Sequence, residues 1–433
     1  MNNRLAIILG LILLSGLLLI PIIVTRLADP AAASSALANS SEPVLEARAV
    51  LPADIFWDGP SSGSQLGTDP INGRTPPFSA QPVQGISAVI KAPGEDQFWA
   101  MPDNGFGSTD NSADFLLRFY LVEPDFETTS GGNGTIGIHR FLQFRDPEHY
   151  IPFDIVNEST VERLLTGADF DIESIRRDSS NDLWVGDEVG PFLLHFDETG
   201  RLLEAPIPLP DVKSPDNPTL GSEEPTLPRS RGFEGMAISP NGETLYPTLE
   251  GALIDDPDQQ RRIFFEFAIP SGSYTDRTWN YHTEDPSHVL GDVTALDENR
   301  LLIIERDNFE GIEANFKRIF LVDLREIDEH GFLIKREVLD LLHIRDRQMI
   351  SLPGQPGDIG LGDPFSFPFQ TIESVLPLDE KGSRLLIAND NNYPFSIGRN
   401  PDQPDNNEMI IVSLPESVFE DGAEGDDGGD GNN

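Results

Sequence analysis

Carboxylate side chains that recur at the ends of short apolar segments are the part of this sequence best suited to do chemistry. Residues 231–251 show the arrangement most clearly, because two apolar segments flank the turn-forming residues 240–242, Pro-Asn-Gly. Asn and Gly tolerate the positive φ that hairpin turns require, so the segment predicts two antiparallel strands. Glu234 opens the first strand and Glu250 closes the second. Because these two ends lie side by side in a hairpin, we expect both acids on one rim.

Acidic or amide strand ends of this kind occur in five units along the chain. Each unit reads as a strand, a turn, a second strand with a polar end, a loop and a third strand. The paired strands are predicted at residues 85–90 and 97–101, 168–175 and 183–185, 233–238 and 245–250, 292–296 and 301–305, and 371–377 and 385–388. The third strands are predicted at residues 115–122, 192–196, 262–269, 318–324 and 408–414.

The acids of these units form a candidate metal site. If the units are arranged in a ring, their strand ends meet at one mouth, and so many carboxylates would repel one another strongly without a counter-ion. Hard oxygen ligands in this number suit Ca²⁺ better than zinc. The predicted ligands are Asp171, Glu173, Asp187, Glu188, Glu234, Glu250, Asp292, Glu305, Asp307, Glu373 and Asp390, and the amides of Asn389, Asn391 and Asn392 suit the same use. The alternative is that each acid is a solvated strand end.

Three residues in these motifs are the candidate catalytic groups, namely Glu234, Glu188 and Arg306. Arg231 and Arg306 differ from the other arginines because they lie inside the acidic motifs. Either guanidinium could neutralise an anionic substrate oxygen or pair with the neighbouring acids. Other catalytic signatures are absent, since the chain has no G-x-S-x-G elbow, no H-E-x-x-H pair, no P-loop and no dinucleotide fingerprint.

The repeated units predict an all-β fold. Each unit of a β-propeller packs both faces against its neighbours, and ring closure protects the sheet edges. We therefore expect six blades, with five to seven possible, of mostly four antiparallel strands. The N-terminal strands and residues 137–155 would complete the sixth blade. A long β-sandwich is the alternative, and only residues 156–165 and 339–347 have short helical periodicity.

Composition limits the partners. The chain of 433 residues has 73 acids and 30 Lys plus Arg, a net charge of −43. This charge argues against nucleic acid or anionic membrane surfaces as partners and favours cations. Without cysteine, the chain has neither disulfides nor thiolate metal ligands. We expect a monomer that acts on a small-molecule ester or phosphoester.

The N-terminus indicates export. Residues 5–24 are an apolar segment of 20 residues after Arg4, long enough to cross a bilayer core of roughly 30 Å. Residues 1–26 are therefore predicted as a signal peptide or an N-terminal membrane anchor, followed by a flexible Ala/Ser-rich tether at 27–44. The propeller is predicted at 45–418 and an acidic disordered tail at 419–433. The protein would be anchored by its N-terminal segment, its only membrane contact, or secreted to the periplasm or extracellular space.

Five motifs together resemble the family described as esterase-like activity of phytase. They are A-D-F-D-I-E-S-I at 168–175, L-W-V-G-D-E-V-G-P-F-L at 183–193, G-F-E-G-M-A-I-S-P-N-G-E-T-L at 232–245, L-L-I-I-E-R-D-N at 301–308 and I-A-N-D-N-N-Y at 387–393. The resemblance covers roughly residues 85–414. It implies an exported propeller and, through the more distant alkaline phytases, calcium-dependent hydrolysis of phosphate esters.

Few Lys or Arg residues lie near these motifs, which favours an ester smaller or less charged than a polyphosphorylated inositol. The function expected from the sequence is thus an exported calcium-dependent hydrolase of phosphate or other esters, with a metal-activated water at the acidic mouth of the channel. One alternative is a non-catalytic, calcium-stabilised propeller that binds a ligand or protein. Another is a lactonase-type propeller.

Overall fold

The computed structural model describes residues 42–415 and residue 419. The predicted signal peptide or anchor, nearly all of the tether and the acidic tail beyond residue 419 lie outside the described residues. Within the described part, no helix is long and apolar enough to cross a membrane. The regular elements of this part are β-strands and four 3₁₀ turns, so the helical periodicity at 156–165 and 339–347 does not produce helices.

Twenty-two strands are formed, numbered here in chain order. The first seven are β1 (Val44–Leu51), β2 (Phe56–Trp57), β3 (Gln81–Pro82), β4 (Ile86–Lys91), β5 (Phe98–Pro102), β6 (Arg118–Asp125) and β7 (Thr135–Gln143). The next eight are β8 (Ile172–Arg177), β9 (Leu183–Asp187), β10 (Phe192–Phe196), β11 (Ile207–Pro208), β12 (Phe233–Ile238), β13 (Thr244–Leu249), β14 (Arg261–Ala268) and β15 (Ser273–His282).

The last seven strands are β16 (Val289–Ala295), β17 (Arg300–Arg306), β18 (Lys317–Ile327), β19 (Leu333–Asp340), β20 (Thr371–Pro377), β21 (Arg384–Asp390) and β22 (Asn407–Ser413). The 3₁₀ turns span Ser64–Leu66, Thr109–Asn111, Ile269–Ser271 and Gly311–Glu313. The predicted bounds of β10, β12 and β20 match the observed ones, and the other predicted strands differ mainly at their ends. The outer strands β15 and β19 were not predicted.

Twenty of the strands form five antiparallel blades of four strands around a central axis. β2 and β3 pair with each other separately, and β1 also pairs in parallel with β7, at Val50 and Thr135. The blades comprise β4–β7, β8–β11, β12–β15, β16–β19, and finally β20–β22 with β1 as the fourth strand. Their innermost strands are β4, β8, β12, β16 and β20. Each contacts the next in this order, and β20 returns to contact β4. The expectation of a β-propeller is therefore confirmed, and the ring of described residues closes with five blades.

Five blades form, within the expected range of five to seven, because the segments assigned to a sixth blade complete two others. β1 pairs with β22 and becomes the outer strand of the fifth blade. β7, which contains residues 137–143, pairs with β6 as the outer strand of the first blade. A sequence pattern shows that such segments are strands, but not which edge they will pair with.

The hydrophobic core consists of layers between neighbouring blades. Five apolar clusters occur among the described residues, one at each blade–blade interface. In β12, for example, Phe233 and Met236 pack toward the second blade, whereas Ala237 packs toward the fourth. Successive residues of a strand point to opposite faces, so a strand covered on both sides needs apolar residues nearly throughout.

Ring closure is reinforced by a buried ionic cluster. Glu408 on β22 is fully buried and accepts hydrogen bonds from Arg48 on β1 and from Arg399. Burial alone would raise the pKa of Glu408, but the two guanidinium groups more than offset this, and its pKa falls to about 2. The carboxylate thus joins the N-terminal strand to the last strand of the ring.

Replacing Glu408 with Gln should destabilise the ring by about 3–5 kcal/mol at pH 7, because the buried Arg399 and the half-buried Arg48 lose their counter-charge. The contribution of Glu408 is fully present above its ordinary pKa of 4.5 and is lost as pH falls toward about 2. The difference in unfolding free energy between wild type and variant should therefore shrink across this interval, as measured by urea titration. Glu337→Gln, which removes an exposed pair with Arg318, is the control and should cost less than about 1 kcal/mol. A difference independent of pH would contradict the role assigned to Glu408.

Candidate metal centre at the mouth of the ring

A β-bulge near the start of each innermost strand orients the side chains of the mouth. The register shifts lie between Ile86 and Ala88, Ile172 and Ser174, Phe233 and Gly235, Leu290 and Val293, and Ile372 and Ser374. A bulge re-aims the side chain of the extra residue. The residues at this position, in blade order, are Ser87, Glu173, Glu234, Gly291 and Glu373.

The second strand of each blade supplies another residue at the same end. The strand partners of the residues before the bulges are Pro102, Asp187, Leu249, Glu305 and Asn389. The residues that follow these partners are Asp103, Glu188, Glu250, Arg306 and Asp390. Four blades thus place a carboxylate at this position, and the fourth blade places an arginine.

All of the residues at these two positions except Ser87 and Gly291 line a cavity of about 340 Å³ at one end of the central channel. Eight carboxylates and two guanidinium groups line it: Asp103, Asp171, Glu173, Glu188, Glu234, Glu250, Glu373 and Asp390, with Arg231 and Arg306. Polar side chains of Asn104, Ser230, Asn308, Gln370, Thr371 and Asn392 complete the lining. The cavity is therefore strongly acidic.

Arg306 is the internal cation of this cluster. Its Nη2 lies 2.9 Å from Glu373 Oε1, 3.5 Å from Glu250 Oε1 and 3.8 Å from Glu234 Oε1. Burial lowers the pKa of Arg306, but these acids outweigh the effect and its pKa is raised. Gly291 permits close packing here, since a Cβ on it would lie 2.2 Å from the carbonyl oxygen of Ile372.

Charge repulsion and burial act together on the carboxyl groups. Burial first, and neighbouring carboxylates second, raise the pKa of Asp103, Glu173, Glu188 and Glu234 well above the ordinary range. The same two causes raise the pKa of Asp390 to about 8. Without a further cation, part of the cluster would hold protons at neutral pH.

Three carboxylate oxygens have properties expected of metal ligands. Asp171 Oδ1, Glu188 Oε1 and Glu234 Oε1 are buried and have no hydrogen-bond partner among the described residues. A buried carboxylate oxygen without a partner is costly. Two groups of oxygens lie close enough to share a cation, within 4.8 Å of one another: Asp103, Asp171 and Glu173 form one, and Glu173, Glu188 and Glu234 form the other. The residues present therefore fit a divalent cation with oxygen ligands.

Most of the predicted site residues are brought together, whereas four are engaged elsewhere. The cavity contains Asp171, Glu173, Glu188, Glu234, Glu250, Glu373 and Asp390. Glu234 and Glu250 lie side by side as the hairpin predicts, both within 4 Å of Arg306. The other four, Asp187, Asp292, Glu305 and Asp307, do not line the cavity.

Local partners explain these four positions. Asp187 accepts hydrogen bonds from the backbone N–H groups of Asp171 and Gly190. The remaining three are ion-paired: Asp292 with Arg176 at 2.7 Å, Glu305 with Lys335 at 2.8 Å and Asp307 with Lys317 at 2.9 Å. The prediction that these four acids line the mouth was therefore wrong. Glu305 and Asp307 pair with lysines of their own blade, and Asp292 pairs with Arg176 of the second blade.

The amides and one acid add further detail. Asn392 lines the cavity, whereas Asn391 Oδ1 accepts a hydrogen bond from the Gly85 N–H and Asn389 Oδ1 accepts one from the Glu408 N–H. Asp103 belongs to the cavity although it was not among the predicted ligands. The sequence repeat could have identified Asp103, because it directly follows β5 as Glu188 directly follows β9.

Comparison with known proteins identifies one matching family model and one curated relative. A family model described as "Phytase-like: Esterase-like activity of phytase" matches residues 81–393. A protein of Arthroderma benhamiae described as "Uncharacterized secreted protein" is 29% identical over 185 residues, covering 34% of this chain and 36% of the relative. The chain therefore matches little more than a third of the length of that curated relative.

Several solved structures resemble the chain at low identity. A GH43 β-1,3-galactosidase matches at 9% identity and TM-score 0.39, over 84% of this chain and 94% of its own. A luciferin-regenerating enzyme matches at 11% and 0.34, over 76% and 78%. The Cps50 (Swd1) β-propeller domain of Myceliophteria thermophila matches at 10% and 0.29, over 71% and 63%. At these scores the matches bear on neither activity nor site, and the fold rests on the strand topology described above.

Arg306→Met should destabilise the chelator-treated protein by about 3–5 kcal/mol at pH 8, because three buried acids lose their counter-charge. Groups whose pKa is raised on folding stabilise the protein fully below their ordinary pKa, and this contribution is lost as pH rises through the folded-state value. For Asp390 the interval runs from 3.8 to about 8. The loss in Arg306→Met should therefore grow with pH across this interval, measured by thermal unfolding with chelator.

The matched control is Arg325→Met, which removes an exposed arginine whose partner is Asp323. This variant should unfold like the wild type at every pH. An Arg306→Met variant that is equally stable at pH 5 and pH 8 in chelator would show that Arg306 does not offset the charge of the acids.

Proposed function

The chain belongs to the family described as esterase-like activity of phytase, and on this premise we propose that it is a calcium-dependent ester hydrolase. The observation that carries the proposal is the set of buried carboxylate oxygens of Asp171, Glu188 and Glu234 that lack hydrogen-bond partners. They face a cavity open to solvent-sized molecules. A protein that needed only a packed channel would gain stability from apolar residues at these positions.

Calcium fits this set of donors better than a transition metal does. The cavity offers carboxylate, amide and hydroxyl oxygens and no imidazole or thiolate. Oxygen ligands in flexible number are those that Ca²⁺ takes. Asp103, Asp171 and Glu173, together with Glu188 and Glu234, are the residues that would hold it. When bound, the cation would polarise a phosphoryl or carbonyl oxygen and lower the pKa of a coordinated water.

The side chains of the cavity would divide the remaining tasks. Glu188 and Glu234 are the proposed catalytic carboxylates, because each has one buried oxygen without a hydrogen-bond partner in the described part of the chain, available to the cation or to a water that it orients. Arg306 fixes the position of Glu234 relative to Glu250 and Glu373 through its ion pairs. It also carries positive charge next to the place where negative charge would develop.

The charge of the cavity indicates the class of substrate. Eight carboxylates against two arginines disfavour a ligand with many phosphates. Arg231, which is paired with Glu250 and whose side chain is 35% exposed, is the one of the two arginines that can reach solvent. We infer a small phosphate monoester or an uncharged carboxylic ester as substrate, bound by a monomer.

Export is proposed from two observations that agree. The predicted signal peptide or anchor at residues 1–26 would direct the chain out of the cytoplasm. The relative from Arthroderma benhamiae is described as secreted. An exported protein also meets the calcium concentrations at which extracellular sites of modest affinity fill, roughly 10⁻⁴–10⁻³ M.

Changing Glu234 to Gln should weaken calcium binding at least tenfold, because the residue loses its charge and keeps its volume. Isothermal titration calorimetry of the full chain with Ca²⁺ would measure this. Asp276→Asn, an exposed acid on β15, is the control and should bind calcium like the wild type. Equal affinity in Glu234→Gln and wild type would remove Glu234 from the proposed ligands.

The catalytic part of the proposal is tested by hydrolysis of a chromogenic phosphate monoester and a chromogenic carboxylic ester, with calcium and with chelator. Calcium-dependent turnover of either ester, reduced at least 100-fold in Glu188→Gln, is the expected result. No turnover, with an unfolding temperature that still rises with calcium, would instead favour a calcium-stabilised binding protein. Turnover of a lactone alone would favour a lactonase-type propeller.

A further inference from the structure

A second group of potential metal ligands lies on the second blade, at the strand ends opposite the mouth. Asp178 and Asp182 belong to the turn between β8 and β9, and His195 lies near the end of β10. One ligand atom from each lies within 4.8 Å of the others. The acids of the mouth, Asp171 and Glu188, flank the opposite ends of these strands, so this group is separate from the cavity.

The orientation of His195 is that of a metal-binding imidazole. Its Nδ1 is 2.8 Å from Glu204 Oε1. A carboxylate at one ring nitrogen holds a proton there and leaves the other nitrogen as a lone-pair donor, which is the arrangement typical of histidine ligands. The ring also stacks on Trp184, with centroids 4.1 Å apart and planes at 8°. The hydrogen bond to Glu204 and the stacking on Trp184 together fix the direction in which Nε2 points.

His195 Nε2 is directed to the acids without a hydrogen bond to them. The atom is buried and has no hydrogen-bond partner in the described part of the chain. Its distance to Asp182 Oδ2 is 3.6 Å. This is too long for a hydrogen bond. It is close to the separation of roughly 3.4 Å between two ligands that bind one tetrahedral zinc ion at about 2.0–2.2 Å.

Asp178 is held in place by its own hydrogen bonds. Its Oδ1 accepts the backbone N–H groups of Ser180 and Asp182, and its Oδ2 accepts the Trp184 Nε1–H at 3.0 Å. A carboxylate oxygen has two lone pairs, so Oδ2 keeps one for a cation.

We propose that His195, Asp182 and Asp178 form a binding site for a divalent transition metal, with Zn²⁺ as the natural occupant. One imidazole and two carboxylates suit Zn²⁺, whereas Ca²⁺ prefers oxygen ligands alone. Three protein ligands leave a fourth position for water. The cation would join the β8–β9 turn to β10 and so stabilise the outer part of the second blade. This site does not depend on the proposed hydrolase activity.

Zinc titration of the full chain, with the mouth saturated by Ca²⁺, tests the proposal. Calorimetry should show one Zn²⁺ bound per chain at this site, and Co²⁺ should quench the fluorescence of Trp184, which stacks on the ligand. Both His195→Gln and Asp182→Asn should weaken this binding at least tenfold. Asp182→Asn is the safer variant for folding, because the Asp182 side chain lies in a surface turn. His343→Gln is the control, since His343 also pairs with an acid, Asp340, on the surface.

The proposal is overturned if Zn²⁺ affinity is the same in the wild type and both variants. It is also overturned if only His195→Gln loses affinity, because a lone surface imidazole would then explain the binding. Equal losses in His343→Gln would show that the titration measures surface histidines in general. A loss in both site variants, with the control unchanged, is the result expected of a site shared by His195 and Asp182.

Discussion

Repulsion among eight carboxylates at one end of the channel is the constraint on which the rest of the structure depends. Three blades orient a glutamate by the same bulge, and four blades place a carboxylate at or just after the end of their second strand, so the repeat that builds the ring also concentrates its charge. The fourth blade relieves part of the repulsion by placing Gly291 and Arg306 where the other blades have larger or acidic residues. Without a cation, protons held by carboxyl groups of raised pKa relieve the rest, as for Asp390 with its pKa of about 8; the metal proposed above would do so in their place.

Pairing separates the acids that serve the fold from those that serve the site. Glu305, Asp307 and Asp292 each have a basic partner within 3 Å, and Glu408 has two. These acids are satisfied and hold strands and loops together. The acids of the cavity outnumber their bases, and three keep an oxygen without a hydrogen-bond partner among the described residues. A buried carboxyl oxygen without a hydrogen-bond partner costs stability, and the metal proposed above would offset that cost.

In the ring, the contacts that stabilise the fold lie apart from the acidic residues of the mouth, which destabilise it. The apolar clusters between the blades stabilise the ring away from the mouth, and so do the ion pairs of Glu408 that join β1 to β22. The mouth can then carry raised carboxyl pKa values without unfolding the protein. The His195 group lies at the other end of the second blade, where a cation would stabilise the fold without entering the channel. Family membership agrees with a hydrolytic use of the mouth.

The sequence by itself determined the three inner strands of each blade, the hairpin that pairs Glu234 with Glu250 and the location of most cavity acids, because apolar periodicity and turn residues act over short distances. It did not indicate the outer strands β15 and β19. It could not determine that β1 closes the fifth blade, since strand edges are chosen by pairing across 360 residues, as between Arg48 and Glu408. Nor could it distinguish Glu305 or Asp292 from Glu234. Their partners, Lys335 and Arg176, are brought to them only by the folded sheets. Tertiary structure alone decides which acids are neutralised and which remain available to a metal.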